Sequence, residues 1–341
     1  MDVNRITEGY FAKGEKYYLG DSKKGVSQNY SKALTWYLKA AEKGHVIAQF
    51  RLGALHSKQC IFPDYNEAIK WYCKAADQGY VLAQRELGWI YDQGIGVGKD
   101  YKKAMFWYEQ AAKQNFADAQ FRLGYFYDYG QGVPKDDNQA VEWYQKAANQ
   151  NHAMAQCFLA GMYQRGRGVL QDVDNAKRLY NKSAEQGYIW AYRDLGWAYN
   201  KGIGVNQDYK EAMYWYKKAS EENLADAQFR IGYFYAHGNG VQRDDEQAVE
   251  WYRKAAEQGH SMAQYFLGLM YYNGTGVPQD FAFARLLYSE SAEQGYAPAQ
   301  NALINFNPFK ISEGELANKA VEKVLNKLSK GEDDDGYTSW V

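Results

Sequence analysis

A Trp-Tyr pair returns every 36 residues along this chain, and a fixed period of that length obliges it to fold as a stack of like units rather than around one closed core. The pair stands at Trp36-Tyr37, Trp71-Tyr72, Trp107-Tyr108, Trp143-Tyr144, Trp215-Tyr216 and Trp251-Tyr252. Leu179-Tyr180 and Leu287-Tyr288 fill the two gaps, and every interval is 36 residues except the first, which is 35. Ala-Gln keeps step at Ala48, Ala83, Ala119, Ala155, Ala227, Ala263 and Ala299, with Ala191-Tyr192 in the remaining slot. Leu-Gly or a close variant begins at Leu52, Leu87, Leu123, Leu159, Leu195, Ile231 and Leu267. A Gly-x-Gly-Val turn begins at Gly94, Gly130, Gly166, Gly202, Gly238 and Gly274. Chance does not hold four landmarks in phase over such a length.

A longer period lies above the first. Residues 81–188 align without gaps to 189–296, and 66 of the 108 positions are identical. The array therefore grew partly by duplicating three units together, and that block is itself a candidate functional unit.

Residues 117–152 give the physical reason for each landmark. Ala119, Leu123 and Tyr127 recur at i, i+4, i+8, one stripe of a first helix from about Ala117 to Tyr129. Gly124 lies beside that stripe and is expected to admit a neighbouring backbone. Gly130-Gln131-Gly132 stops the helix through glycine's access to positive φ. Asp136 or Asp137 caps a second helix carrying Ala140, Trp143, Tyr144, Ala147 and Ala148 on one face, and both Trp143 and Tyr144 are expected in the core. The residue seven before the Trp position is Asn29, Asp64, Asp100, Asp136, Asp172, Asp208, Asp244 or Asp280, a good cap in every unit. The second helix ends at Gly44, Gly79, Asn115, Asn151, Gly187, Asn223, Gly259 or Gly295, the two residue types that tolerate a left-handed stop.

These residues, with their copies, resemble the Sel1-like repeat family, a relative of the tetratricopeptide repeat. The resemblance runs over about residues 10–305 and is carried by Ala119-Gln120, Leu123-Gly124, Tyr127, Gly130-x-Gly132-Val133, Asp136, Ala140, Trp143-Tyr144 and Ala147-Ala148. It implies an all-α fold: an α-solenoid, wound as a right-handed superhelix, of about eight 36-residue helix–turn–helix repeats with a C-terminal capping helix. Residues 1–45 read as an N-terminal cap and divergent first repeat, with only Gly25-Val26 left of the turn. Repeats follow at 46–80, 81–116, 117–152, 153–188, 189–224, 225–260 and 261–296. The 46–80 unit is one residue short and has Gln59-Cys60-Ile61-Phe62-Pro63 in place of the glycine turn.

Past Gln300 the repeat decays. Ser312 and Glu315 make a capping-box signature, and Leu316, Ala320, Val324 and Leu328 an apolar stripe, so capping helices are expected within 297–330. Residues 331–341 read as an acidic flexible tail, Glu332-Asp333-Asp334-Asp335, ending apolar at Trp340-Val341. A short linear motif, or a segment folding back into the protein's own groove, is the sharper alternative.

Little catalytic chemistry is visible. No HExxH, Walker A, Gly-x-Ser-x-Gly or Cys/His metal spacing occurs, so neither enzyme activity nor a metal or cofactor is expected. His45, His152 and His260 share one repeat position and are too far apart to converge on a metal; they read as polar residues at a helix start. Asp136-Asp137 and Asp244-Asp245 read as caps. The 40 basic and 41 acidic side chains give no global field for nucleic acid or an anionic membrane. Three cysteines, Cys60, Cys73 and Cys157, form no CxxC pair, which suits a reducing, cytoplasmic setting.

The resemblance further implies that first helices line a concave surface. Opposite the Leu123 stripe, the helical wheel places Arg85 and Trp89; then Phe121, Arg122, Tyr125 and Tyr129; then Trp190, Arg193 and Trp197; then Phe229, Arg230 and Tyr233; and finally Tyr265. Trp, Tyr, Phe and Arg dominate binding hot spots. The expectation is an aromatic, arginine-lined groove for a partner protein or peptide, as in a scaffold or adaptor. The competing reading packs these residues between adjacent repeats. Relatives in the family occur in bacterial regulatory and secretion-linked settings, so an immunity protein that sequesters a toxin or effector is a second expectation. A single-stranded nucleic-acid binder comes third, on the interleaved Arg and aromatics.

Overall fold

The computed structural model describes residues 3–20, 27–59 and 63–306. Among them every element is helical. The chain divides into two compact units, Met1–Gln186 and Gly187–Val341. The first unit holds α1 (Val3–Leu19), α2 (Tyr30–Ala41), α3 (Val46–Ala54), α4 (Tyr65–Asp77), α5 (Val81–Gln93), α6 (Tyr101–Lys113), α7 (Ala117–Tyr129), α8 (Asp137–Asn149), α9 (Ala153–Arg165) and α10 (Val173–Glu185). The second holds α11 (Ile189–Lys201), α12 (Tyr209–Glu221), α13 (Ala225–His237), α14 (Asp245–Glu257), α15 (Ser261–Asn273), α16 (Phe281–Glu293) and α17 (Ala297–Ile304). Within each unit a helix packs mainly on the helices next to it in sequence. Odd-numbered helices open a repeat and even-numbered ones close it.

The caps and stops stand where the residue types require. Asp136 adopts an extended φ of −146° and accepts from the Asn138 and Gln139 amides at 3.0 and 3.1 Å. Asp137 is therefore not the cap, and its carboxylate is left for another role. Asn29, Asp64, Asp100, Asp172, Asp208, Asp244 and Asp280 cap their helices in the same way. Asn151 ends its repeat at φ 63° and Gly130 ends α7 at φ 68°, both left-handed. The second glycine of the turn serves the neighbour: a Cβ on Gly132 would meet Tyr101, at the start of the preceding second helix, at 2.5 Å.

What presses against the Leu-Gly glycine is an aromatic ring. A Cβ at Gly124 would lie 2.6 Å from the Tyr144 ring, and the same pairing joins Gly53 to Tyr72, Gly88 to Tyr108, Gly196 to Tyr216, Gly232 to Tyr252 and Gly268 to Tyr288. The expected approach of a neighbouring backbone is corrected accordingly. The tyrosine of each Trp-Tyr pair is the deepest side chain: Tyr108, Tyr144 and Tyr216 are wholly buried. Its tryptophan is not. Trp143 is only half-buried, with the Lys146 amine 3.9 Å from the ring centroid. Of the six tryptophans at that position only Trp71 is buried, and the smaller Leu179 and Leu287 that replace it elsewhere are buried too. The second helix points its tyrosine at the first helix and leaves the tryptophan on the rim, so Trp143 is not the core anchor expected of it.

The glutamine of Ala-Gln holds consecutive repeats in register. Gln120, 3% exposed, accepts from Gln150 Nε2 at 2.7 Å and donates to Asn115, the stop residue of the preceding repeat, at 3.0 Å. Gln150 also reaches Asn115 at 3.2 Å. The same amide pair recurs at Gln49–Gln78, Gln84–Gln114, Gln156–Gln186, Gln228–Gln258 and Gln264–Gln294, at 2.7–2.8 Å. Where Tyr192 replaces the first amide, Glu222 replaces the second.

In the short 46–80 unit α3 runs on into a π-helical turn, Leu55–Gln59, where Ser57 meets the Tyr72 hydroxyl at 3.1 Å. Residues 60–62 and the Gly25-Val26 turn lie outside the described residues, as do the helix expected at Ser312–Leu328 and the acidic segment 331–341. α17, eight residues long, packs on α16, and Phe306 closes over Tyr272 and Tyr288 at 5.5 and 6.2 Å.

Gly124→Ala gains up to about 1 kcal/mol of helix propensity but forces a methyl into the Tyr144 ring, a clash of roughly 1–3 kcal/mol. Urea melts should therefore show net destabilisation in the wild-type background. In a Tyr144→Ala background the same change should stabilise; a stabilising effect in both backgrounds would remove the ring contact as the reason for the glycine.

Candidate partner-binding surface

The thirteen residues proposed for the groove divide by burial. Phe121, Phe229 and Tyr265 are 2%, 0% and 5% exposed, so a partner cannot reach them. Phe121 packs against Tyr144 at 5.7 Å, His152 at 5.2 Å and Phe158 of α9 at 5.4 Å. Phe229 repeats the arrangement with Tyr252, His260 and Phe266 of α15. Tyr265 sits among Phe266, Tyr288 and Tyr296. These three are inter-repeat core. Each first helix is covered on a second side by the following repeat, which a wheel drawn for one neighbour does not include.

The remaining ten are half-buried or exposed. In the first unit α5 presents Arg85 and Trp89, and α7 presents Arg122, Tyr125 and Tyr129. Tyr125 and Tyr129, one turn apart, stack with centroids 4.3 Å apart, and Tyr129 is 41% exposed. Burial and the nearby Asp128 raise the Tyr129 hydroxyl to about 12, so it stays a neutral donor. Arg122 lies over the Phe121 ring at 5.8 Å and forms no ion pair with a described carboxylate. Arg85 is committed: it pairs with the buried Glu86 at 3.0 Å and approaches Asp118 at 3.9 Å.

In the second unit α11 presents Trp190, Arg193 and Trp197. Arg193 stacks on Trp190 at 4.7 Å while pairing with the buried Asp194 at 2.7 Å. α13 presents Arg230 and Tyr233. Tyr233 stacks on His237 at 4.0 Å, the counterpart of the Tyr125–Tyr129 pair, and His237 Nδ1 meets the Tyr233 carbonyl at 2.7 Å. Burial lowers the His237 pKa. Arg230 approaches Asp226 at 3.7 Å. Burial and the charge of Arg230 also lower the pKa of Lys201.

A recurring constellation escaped the sequence reading. His45, His152 and His260 are helix caps: each Nδ1 accepts the amide three residues on, at 3.1–3.2 Å. Each ring stacks on a phenylalanine, Phe11, Phe121 or Phe229, at 4.4–5.2 Å. Each Nε2 faces an acid, Glu8, Asp118 or Asp226, at 3.4–3.9 Å. The acid stands three residues before the phenylalanine in all three places, with the histidine 31 residues after the phenylalanine in two of them and 34 in the first. Burial opposes ionisation of Asp226, but Arg230 and His260 hold its carboxyl well below the usual range.

The duplicated blocks differ in one clamp. In the first, Arg167 pairs with Asp128 at 2.5 Å and Asp137 at 2.6 Å, and Asp128 accepts from the Tyr144 hydroxyl at 3.2 Å. In the second, Ala236 and Thr275 stand at the positions of Asp128 and Arg167. Tyr252 is as buried as Tyr144, and its hydroxyl has no protein partner. Among the described residues no group of three His, Cys, Asp or Glu side chains is placed to hold a metal, and no helix is long and apolar enough to cross a membrane. The surface offers rings, guanidinium groups and hydroxyls: means of binding, with no nucleophile beside a base.

The Sel1 repeat model matches residues 10–45, 46–80, 81–116, 117–152, 153–188, 191–224, 225–260 and 261–296. The structure of a Sel1 repeat protein from Oxalobacter formigenes is 36% identical, covers 88% of this chain and 87% of its own, and has a TM-score of 0.72. The structure of c5321, a protective antigen of uropathogenic Escherichia coli, is 29% identical over 96% of this chain and 86% of its own, with a TM-score of 0.50. Immunity protein Pa5087 from Pseudomonas aeruginosa, 20% identical over 77% of this chain and 88% of its own with a TM-score of 0.36, is too distant to carry function. No curated protein matches the chain.

Two outcomes are expected. Phe121→Ala should cost roughly 3–5 kcal/mol, as a core aromatic does, while Tyr129→Ala should change stability by less than about 1 kcal/mol in urea melts. The low carboxyl pKa of Asp226 gives the second unit stability that is complete above the unfolded value near 3.9 and drains away as pH falls below about 4. Asp226→Asn should lower stability at neutral pH and flatten that acid limb; an unchanged limb would mean the ionised carboxylate contributes nothing.

Proposed function

The chain belongs to the Sel1 repeat family, and on that premise we propose that it is a protein–protein interaction scaffold whose first-helix face takes a partner protein or peptide. One observation carries the reading. Arg122 beside the Tyr125–Tyr129 stack on α7 recurs as Arg230 beside the Tyr233–His237 stack on α13. Stacked rings on a half-buried helix face are large, rigid contact area that loses little entropy on binding. Arg122, which has no ion pair to a described carboxylate, adds planar donors suited to a carboxylate, while Arg230 is already paired with Asp226. Trp89, Trp190 and Trp197 extend this surface within their own units. Phe121, Phe229 and Tyr265 support it from beneath and are withdrawn as contact residues.

Three cysteines without a CxxC pair favour a reducing compartment, and we take the protein to be cytoplasmic. Binding is read as its whole activity, without catalysis or cofactor. A near-zero net charge argues against nucleic acid as the partner.

The test is capture from the native host, identified by mass spectrometry, with wild type beside Arg122→Ala/Tyr129→Ala and Trp197→Ala. The variants should keep wild-type helicity and lose the wild-type partner by at least roughly tenfold, the equivalent of about 1.4 kcal/mol. Undiminished capture by both variants would overturn the surface. A single partner held one to one would make the protein a sequestering inhibitor of the immunity type; several weaker partners would make it an adaptor.

A further inference from the structure

A second surface lies on α1 and α2, the helices of the first repeat. Of the two acids of α1, Glu15 turns inward, while Glu8 stays exposed and is engaged by a histidine. Glu15 accepts from Arg51 at 2.8 Å and from the Tyr37 hydroxyl at 2.7 Å, and Glu8 faces His45 at 3.4 Å. α2 contains no acid. The lysines remain outside. Lys13 of α1 and Lys39 of α2 both lie on the Trp36 ring, their amines 4.4 and 4.5 Å from its centroid. Lys32 lies over Tyr17 at 5.4 Å. All three are exposed, and none forms an ion pair with a described carboxylate.

Elsewhere the tryptophan of the pair carries one such lysine: Lys74 on Trp71, Lys146 on Trp143, Lys254 on Trp251. Two ammonium groups on one ring repel each other, and neither is ion-paired to a described carboxylate. The face therefore favours an anionic, partly aromatic ligand. The same chain supplies one in Glu332-Asp333-Asp334-Asp335 with Trp340, where four acids lie within four residues and an indole follows.

We propose that the α1–α2 face binds the acidic segment 332–340 of a second copy of this chain. The four carboxylates complement Lys13, Lys32 and Lys39, and the Trp340 indole offers a further ring to the amines. Each copy carries both the face and the segment. The contact is heterologous, so one copy can be donor and acceptor at once, and association runs on as an open series unless a rotation closes it. Exposed charge pairs are salt-screened, so the series dissolves as ionic strength rises.

Sedimentation velocity tests this on the full chain, on Lys13→Glu/Lys39→Glu and on a chain ending at Lys330, at about 0.02 M and about 0.3 M salt. The full chain should gain mass with concentration at low salt and be monomeric at high salt, and both variants should be monomeric throughout. A labelled peptide of residues 331–341 should bind the shortened chain, with Kd raised at least tenfold by Lys13→Glu/Lys39→Glu. A full chain that is monomeric at every concentration would overturn the proposal, whether the peptide binds (a contact within one chain) or does not. Equal peptide binding to the lysine variant would place the segment on another surface. Thermal melts of the variants check that both remain folded.

Discussion

Helix spacing in every repeat but one depends on a tyrosine ring set against a stretch of helix with no Cβ. Hydrophobic burial alone would let the two helices slide. A ring that fits one glycine at Gly124 or Gly232 fixes both their distance and their offset. Other contacts then become possible. The second helix reaches its left-handed stop where its terminal glutamine can meet the buried amide of the first helix at 2.7 Å. The tryptophan beside the tyrosine is turned to the rim, where a lysine stem covers it. The 153–188 unit varies the device: Ala160 takes the usual position and Gly161 follows it. There the Tyr180 hydroxyl is held by Gln164 at 3.2 Å, so the ring is located by its tip.

Much of this was legible from residue types because the demands are local. An extended cap needs Asp136, and a stop at φ 63° needs Asn151 or a glycine; neither depends on what lies across the interface. The surface was harder to read. A helical wheel assigns one inside, whereas α7 is packed by α8 and also by Phe158 of α9, which draws Phe121 into the core while leaving Tyr125 and Tyr129 at the edge. The clamp of Asp128, Arg167 and Asp137 joins residues 39 and 30 positions apart, beyond any single-repeat pattern. Its trace was in the block comparison, where Asp128 and Arg167 change together to Ala236 and Thr275.

That comparison also separates backbone from chemistry. The two blocks keep their caps and left-handed stops at matching positions, and the ring-on-glycine contact in two of their three units, so their frames are alike. At the inner ends of their first helices they diverge: Asp92 and Asp128 in one become Asn200 and Ala236 in the other, and Tyr129 becomes His237. Burial raises the Asp92 carboxyl against the pull of Arg122, so the first block carries a buried, titratable acid that the second lacks. A duplicated frame with different side chains at matching positions gives two first-helix faces of unequal chemistry.

The amide pairs restrict how such a gene can change length. Each joins residues 29 or 30 positions apart in one repeat, and several also reach the stop residue of the repeat before. One residue inserted or lost inside a helix would turn every later side chain by about 100° and strand a buried carboxamide at each end of the break. A whole repeat, or three, inserts without breaking any pair. The one-residue deletion of the 46–80 unit falls between Gly53 and Asp64, outside the segments that carry the amide pair, where the end of α3 passes into a π-helical turn. Copy number is thus the permitted variable and residue number is not, which gives lineages of this protein a ready way to alter reach while conserving fit.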